Sequence, residues 1–365
     1  MAIPTVLQFG TSRFLQAHAD LFLAEAAPGA RPVTVVQSSG DPARAGRVAA
    51  LAQGYDVRIR GLQAGAEVDE LRRVHSVARG LSLGPDRAEV ERLIAEEVEI
   101  ILSNTADAGF APRPEDEGPT FDMAMSYPAK LAHLLRGRFE AGGAALQIMP
   151  TELVRNNGAT LRDLVLAAAK DMAEGYRAWL KGEVVWVNSL VDRIVSEPLQ
   201  PAGAIAEPYA LWAIEAQPRL RLPCEHPAIQ VVPDLGPIER QKLFVLNLGH
   251  SWVVADWLAR GRAGATFVRD VMADADWAAR LRAVYAQEVL PGFAAAGEAE
   301  GVEAYIETTL ERFGNPFLDH RLEDIAQNHG EKLQRRIGAF LAWAEAHGDR
   351  GDKPQLRAAM EGQGQ

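Results

Sequence analysis

Cysteine is all but missing from this chain. Cys224 is the only one, which excludes an internal disulfide framework and a cysteine-built zinc site, and suits a reducing cytoplasm. Positive charge is in deficit: 38 lysines and arginines face 49 aspartates and glutamates, for a formal net charge of −11. No basic stripe offsets that balance, so no nucleic-acid partner is expected; a small molecule met in a locally positive pocket is. No apolar run reaches the ~18 residues that a membrane-spanning helix needs. The opening MAIPTVLQFG lacks the basic-then-apolar pattern of a signal peptide. Internal repeats and low-complexity blocks are absent too. These absences leave a cytoplasmic protein with no membrane partner, a monomer or small homo-oligomer.

What is present is an ordinary globular composition, 48% hydrophobic over 365 residues, enough for two domains. TVLQFG is a short apolar strand that turns at Gly10-Thr11-Ser12 into a helical pattern with Phe14, Ala17, His18, Leu21 and Phe22 on one face. RPVTVVQSS, GYDVRIRGL, VEIILSNT, AALQIMP and VVWVNSLVDRIV read as strands. Between or beside them PDRAEVERLIAEE, SYPAKLAHLLRGRFEAG and GATLRDLVLAAAKDMAEGYRAWL read as helices. The alternation predicts α/β class, a Rossmann-like doubly wound parallel sheet over residues 1–200. After the proline-punctuated SEPLQPAGAIAEP, long helical patterns predict a mainly α-helical domain over 201–350, closed by a frayed polar tail, 351–365.

A strand, a glycine turn and a helix form the phosphate-binding geometry of dinucleotide folds. Of the three-glycine pattern only Gly10 is present, with Ser12 and Leu15 in later glycine positions, so a plain βα turn is an equal reading of the turn alone. The second strand ends in Gln37 and Ser38 rather than an acid for the ribose hydroxyls, and Asp41 follows. That favours NAD while leaving NADP open. Ser103, Asn104 and Thr105 sit at another strand end, where such sheets bind ligands.

KLFVLNLGHSWVV, residues 242–254, is an apolar run interrupted by Lys242, Asn247 and His250. On an α-helix Lys242 and Asn247 lie roughly 140° apart and Lys242 and His250 roughly 80°, within one broad arc. A lysine in apolar surroundings is usable as a general acid/base. An amide and an imidazole beside it can donate to an oxygen gaining negative charge. The alternative is structural: a lysine that reaches out to solvent, with Asn247 and His250 bonded to nearby backbone.

The spacing Lys-x4-Asn-x2-His, with QFGTSRFLQAH near the start, resembles the mannitol dehydrogenase family of polyol-specific long-chain dehydrogenases. SNTADAG, SYPAKL, MPTELVRNNGATLRDLV, SLVDRIV and RFGNPFLDHRLEDIAQN agree, spanning residues about 6 to 330 in family order. Within it, similarity is strongest to the tagaturonate reductase (altronate oxidoreductase) branch. The resemblance implies a zinc-independent NAD-dependent dehydrogenase with no metal site, in which Lys242 is the general acid/base and Asn247 and His250 polarise the reacting oxygen. It implies nucleotide contacts at Phe9, Gly10, Thr11, Ser12, Arg13, Phe14, Asp41, Ser103, Asn104 and Thr105. Glu239 matches a proton-relay position, Asp192 an acid near the cleft, and His320 and Arg321 the substrate-binding region. Glu239, Asp192 and Arg321 serve equally well as interdomain ion-pair partners. Departures are Ser12 for the second glycine, Gln16 for an arginine, and Thr-Glu-Leu in MPTELVRNNG; they weaken the substrate assignment more than the cofactor. The implied substrate is a linear sugar acid. The alternatives are a polyol or polyol phosphate, or a non-catalytic nucleotide sensor on the same fold.

Overall fold

The computed structural model describes residues 5–26, 32–39, 41, 45–105 and 109–361. Residues 106–108 of SNTADAG and the last four of the expected tail lie outside them. In chain order the strands are β1 Thr5–Phe9, β2 Val33–Gln37, β3 Tyr55–Gln63, β4 Ala66–Val74, β5 Val77–Ser82, β6 Val98–Ser103, β7 Gln147–Pro150, β8 Val185–Trp186, β9 Ser189–Asp192, β10 Val195–Pro198, β11 Gly203–Ala206, β12 Leu211–Glu215 and β13 Ile229–Val232.

Strands buried on both faces read as continuous apolar runs, and β2, VTVVQ, is buried at all five positions. Six strands form one sheet in the order β5-β2-β1-β6-β7-β8, and every pairing is parallel. Strand order reverses between β1 and β6, the switch point at which doubly wound sheets open a ligand crevice. The α/β Rossmann-like class is therefore what the chain adopts. Helix Tyr127–Glu140 starts where Ser126 caps it, Oγ accepting from Ala129 N–H at 3.4 Å, with a proline in the first turn. It packs on the sheet through Leu131, Leu134 and Leu135.

Several local readings are corrected. Residues 158–180 are not one helix but two, Asn157–Ala168 and Glu174–Gly182. The single strand expected at 184–195 is divided at Asn188, where the backbone turns from Ile148 of the parallel sheet, bonded by Val187 N–H, to Glu215, whose N–H donates to Asn188 O. Asn188 Oδ1 accepts from Ala159 N–H and Nδ2 donates to Glu215, and the chain leaves the parallel sheet after β8. β9 joins a second sheet, β13-β12-β9, while β10 and β11 form an antiparallel pair in a third, β10-β11-β3-β4.

The chain divides into two compact units: Met1–Ile59, Glu70–Ala206 and Ala210–Leu235; and Arg60–Asp69, Glu207–Tyr209 and Gly236–Gln365. The mainly helical unit thus begins at Gly236 rather than 201, because β11 to β13 group with the first unit. The expected frayed tail is also overturned. Pro354–Glu361 is a helix whose Leu356 is fully buried. Glu288 accepts from the Gln355 and Leu356 amides at 2.9 Å each, satisfying donors that a helix start leaves open.

Candidate functional site

At the β1/β6 switch point the backbone makes the first site. Gly10 follows β1 with φ of +120°, and a Cβ there would stand 2.5 Å from Asn104 O. Only glycine fits so close an approach. The Gly10 amide donates to Val36 O and the Asn104 amide to Phe9 O, both at 3.0 Å. Ser12, in the position of a family glycine, caps the short helix Arg13–Gln16 by accepting from Leu15 N–H. Its hydroxyl donates to Asn104 Oδ1 at 2.9 Å. The substitution therefore ties the turn to the end of β6.

A cleft of about 560 Å³ opens above these atoms. Gly10, Thr11, Ser12, Asn104 and Thr105 line it, as do Gln37, Ser38, Ser39, Arg47, Gly109 and Arg113. Other residues expected at the nucleotide take other places. Phe9 is fully buried beneath the turn, with its ring 5.4 Å from that of Tyr127, because its side chain alternates to the core side of the strand end. Phe14 stacks on His18 at 4.8 Å, and Arg13 is exposed. Ser103 is buried and donates to Glu152 at 3.0 Å. Asp41 lies outside the lining; its carbonyl accepts from Gln37 Nε2 at 2.8 Å. Gln37 also accepts from Ser82 and so shapes the loop.

Glu152, quoted above within MPTELVRNNG but given no role, organises this rim. Almost fully buried, it receives Ser103 Oγ, Thr105 N–H and Thr105 Oγ1. Burial raises its pKa above the usual carboxylate value. Asn157 works beneath it, donating to Pro150 O, Glu152 O and Ser189 O and accepting from the Gly158 and Ser189 amides. A buried amide with all its capacity used was legible only as "NN" before a helical pattern.

In the second unit, KLFVLNLGHSWVV is wound differently from the expectation. Lys242–Asn247 is a π-turn segment, followed by the α-helix Leu248–Ala259. Leu248 N–H reaches back five residues to Leu243 O. An i→i+5 turn brings positions 242 and 247 toward one face of the helix, where an α-helix would hold them roughly 140° apart. Lys242 and Asn247 are half-buried, and only His250, 7% exposed, is enclosed.

The His250 ring packs 4.3 Å from that of Phe313 and meets His320 edge-on at 4.8 Å. Its Nε2 is buried with no hydrogen-bond partner among the described residues. Burial, then the positive surroundings of His320, Arg336, Arg312 and Lys332, hold His250 well below the usual imidazole range. It is a neutral ring that can offer a proton or a lone pair to an incoming oxygen. His320 and His329 are lowered as well, by burial first. Lys332 donates to Ile325 O at 2.8 Å, and Arg336 to Asn247 O and Ser251 Oγ at 3.3 and 3.1 Å.

Not every expected residue joins them. Arg321 is exposed, its guanidinium 5.5 Å from the centre of the Phe267 ring. Its backbone is extended, and neighbouring side chains on extended backbone point to opposite sides, so His320 and Arg321 cannot both turn to His250. Glu239 is half-buried in helix Gly236–Gln241, one turn before Lys242, and Asp192 is buried at the end of β9 in the first unit. Arg336 escaped the sequence reading because QRR in a helical pattern looks like a solvated face. Its i,i+4 spacing from Lys332 was the available signal. Among the described residues no group of three or more His, Cys, Asp or Glu side chains is arranged to hold a metal.

Known proteins agree with this architecture. Residues 4–224 match the mannitol dehydrogenase Rossmann domain and 234–356 the mannitol dehydrogenase C-terminal domain. The chain is 32% identical over 366 residues to an altronate oxidoreductase of Halalkalibacterium halodurans, covering 91% of this chain and 69% of that one. It is 29% identical over 374 residues to an altronate oxidoreductase of Bacillus subtilis, with 94% and 76% covered. In fold it resembles a D-sorbitol dehydrogenase in substrate-free form, with TM-score 0.85, 20% identity, and 98% of this chain and 79% of that one covered. It also resembles the Pseudomonas fluorescens mannitol 2-dehydrogenase ternary complex with NAD and D-mannitol, with TM-score 0.71, 19% identity, and 98% and 78% covered. With family models matching nearly its whole length and a glycine turn at the switch point of a parallel sheet, the chain belongs to the mannitol dehydrogenase family, a dehydrogenase acting on CH–OH groups with a Rossmann domain for NAD.

Proposed function

We propose that this protein interconverts a ketone and a secondary alcohol on a linear sugar acid, of the tagaturonate/altronate kind, with NAD(H) and with Lys242 as general acid/base. The observation that carries this is the wide turn over Lys242–Asn247, whose winding brings positions 242 and 247 toward one face, with a neutral His250 three residues on whose buried Nε2 has no hydrogen-bond partner among the described residues. The cleft at Gly10 fits the dinucleotide, since a backbone stripped of Cβ stands where the pyrophosphate of such cofactors is cradled. Thr11, Ser12, Asn104 and Thr105 would hold it, and Ser38, Ser39 and Arg47 would meet its adenosine end. When bound, NADH supplies the hydride.

The remaining chemistry falls to the chain's own side chains. In reduction Lys242 gives a proton from Nζ to the carbonyl oxygen as negative charge builds there; in oxidation it takes the hydroxyl proton. Asn247 Nδ2 and the His250 ring donate to the same oxygen and hold it in place. Glu239, one turn before Lys242 in the same unit, is assigned to relaying the proton. The sugar-acid class is supported by two observations. The relatives above are named altronate oxidoreductases. Arg336 and Lys332 stand among the charges felt by His250, and two cations there suit an anionic substrate.

An NADH-oxidation screen over tagaturonate, fructuronate, fructose and fructose 6-phosphate tests this. The expected outcome is a kcat/KM for tagaturonate at least roughly 100-fold above that for neutral fructose, the scale of one lost buried charge contact. Preference for fructose would move the assignment to a polyol dehydrogenase.

A further inference from the structure

Among the described residues of the second unit three wide turns occur: Lys242–Asn247, Tyr285–Val289 and Gln334–Gly338. They pack together, and the latter two each send a side chain onto a carbonyl of the first. Tyr285 Oη donates to Val245 O at 2.9 Å, and Tyr285 is 1% exposed. Arg336 Nη1 donates to Asn247 O. Gly249 makes room for the first of these bonds, since a Cβ at 249 would overlap Tyr285 Oη.

We propose that Tyr285 is a positioning residue for the reaction: its hydroxyl, seated against Gly249, keeps the Lys242–Asn247 turn wide and so keeps positions 242 and 247 toward one face of the helix. Wide turns are less favourable than α-helix and persist where surrounding groups hold them. Here a buried phenol and a guanidinium bond two of the segment's carbonyls from outside the helix. Were the turn to relax to α, Asn247 would swing roughly 140° from Lys242 and the pair could no longer meet one oxygen. Tyr285 touches no reacting atom in this scheme; it acts through the backbone of Val245. The inference rests on the reading of Lys242 and Asn247 as the reacting pair.

Tyr285→Phe removes the hydroxyl and leaves the ring packing, so it tests the point with little risk to folding. Two readouts are needed: amide hydrogen exchange over residues 243–250 of the apo protein, and kcat with KM for tagaturonate reduction. The expected result is exchange faster by roughly tenfold in that segment, kcat lower by roughly 10- to 100-fold, and an unchanged Kd for NADH. Gly249→Ala, which pushes the hydroxyl away, should give the same two changes. The double variant, freed of the hydroxyl overlap but still requiring the rings of residues 285 and 313 to give by a few tenths of an ångström, should lose far less than the product of the two single losses, because both act on one bond. If Gly249→Ala does not fold, the double variant replaces it.

Unchanged exchange in Tyr285→Phe overturns the inference. Faster exchange with unchanged kcat does so too, reducing Tyr285 to a packing role, and so do losses that multiply in the double variant. Lys242→Ala, run in parallel, separates the two levels: it should lose turnover without faster exchange. Were it to keep turnover, the reading of Lys242 would fail while the exchange data still judged the turn.

Discussion

Asp20 shows how single residues in this fold carry burial against their chemistry. It lies fully buried in helix Ala19–Glu25, receiving Tyr55 Oη at 2.7 Å. Burial, opposed by the Tyr55 and Gln8 bonds, raises its pKa to about 7. A carboxyl held above its unfolded value of about 3.9 contributes stability below that pH and loses it as pH rises toward 7, at about 1.4 kcal/mol per unit. Asp20→Asn keeps the shape and cannot titrate. Its stability relative to the parent should therefore climb by up to about 4 kcal/mol between pH 4 and 7, measured by urea unfolding at several pH values. A difference that does not vary with pH would show that Asp20 is ionised throughout. His18 works in the opposite sense. Burial lowers its pKa to about 3, so its contribution is present above about pH 6.5 and is lost as pH falls. His250, lowered further than its neighbours by burial and by cations, adds to that acid-side loss.

At the scale of elements, the second unit combines apolar packing between helices with an enclosed ion pair that ties a helix to the Glu207–Tyr209 segment. Arg312, on helix Val302–Phe313, donates to both carboxylate oxygens of Glu207 at 2.8 and 3.0 Å, and both side chains are about 3% exposed or less. Its guanidinium also covers the Tyr209 ring at 4.4 Å. A buried pair does little for stability against an apolar replacement, but breaking it strands a charge. Glu207→Gln should therefore cost about 3 to 5 kcal/mol in chemical unfolding, whereas Glu207→Met with Arg312→Met should recover most of that. Equal losses in the single and double variants would mean the packing, not the charge, is what matters.

Elements also mark where sequence reasoning stops. The apolar, buried strands β1, β2, β6 and β7 and the amphipathic helices of the first unit were legible from their hydrophobic pattern, whereas the largely exposed β4 and the half-exposed β5 were not. β10, β11 and β12 were not: they are four or five residues long, and Pro198 ends β10 at a sheet edge where proline is tolerated. The wide turn at Lys242 was invisible because six apolar-rich residues fit α and π winding alike. Its cause lies at Tyr285 and Arg336, some forty and ninety positions away. The C-terminal helix was missed because its burial rests on Leu356 alone within a polar stretch, and its cap comes from Glu288.

Across the whole molecule, a net charge of −11 coexists with a cationic neighbourhood around His250. Bulk charge sets solubility and encounter; the local field selects the ligand. No helix among the described residues is long and apolar enough to cross a membrane. The candidate residues separated in an instructive way. His250 and His320 meet ring to edge, and of the nucleotide list Gly10, Thr11, Ser12, Asn104 and Thr105 line the cleft while Phe9 and Ser103 are buried beneath it. Spacing finds which residues share a face; it does not tell a residue that lines a cleft from one that supports it.

The most direct measurement is on Lys242→Ala, comparing kcat for NADH-dependent tagaturonate reduction with the Kd for NADH from fluorescence titration. A general acid lost from the second unit should lower kcat by roughly 10²- to 10⁴-fold and leave NADH binding within about twofold, because the cleft at Gly10 belongs to the first unit. A variant that turns over at the parental rate would contradict the assignment of Lys242.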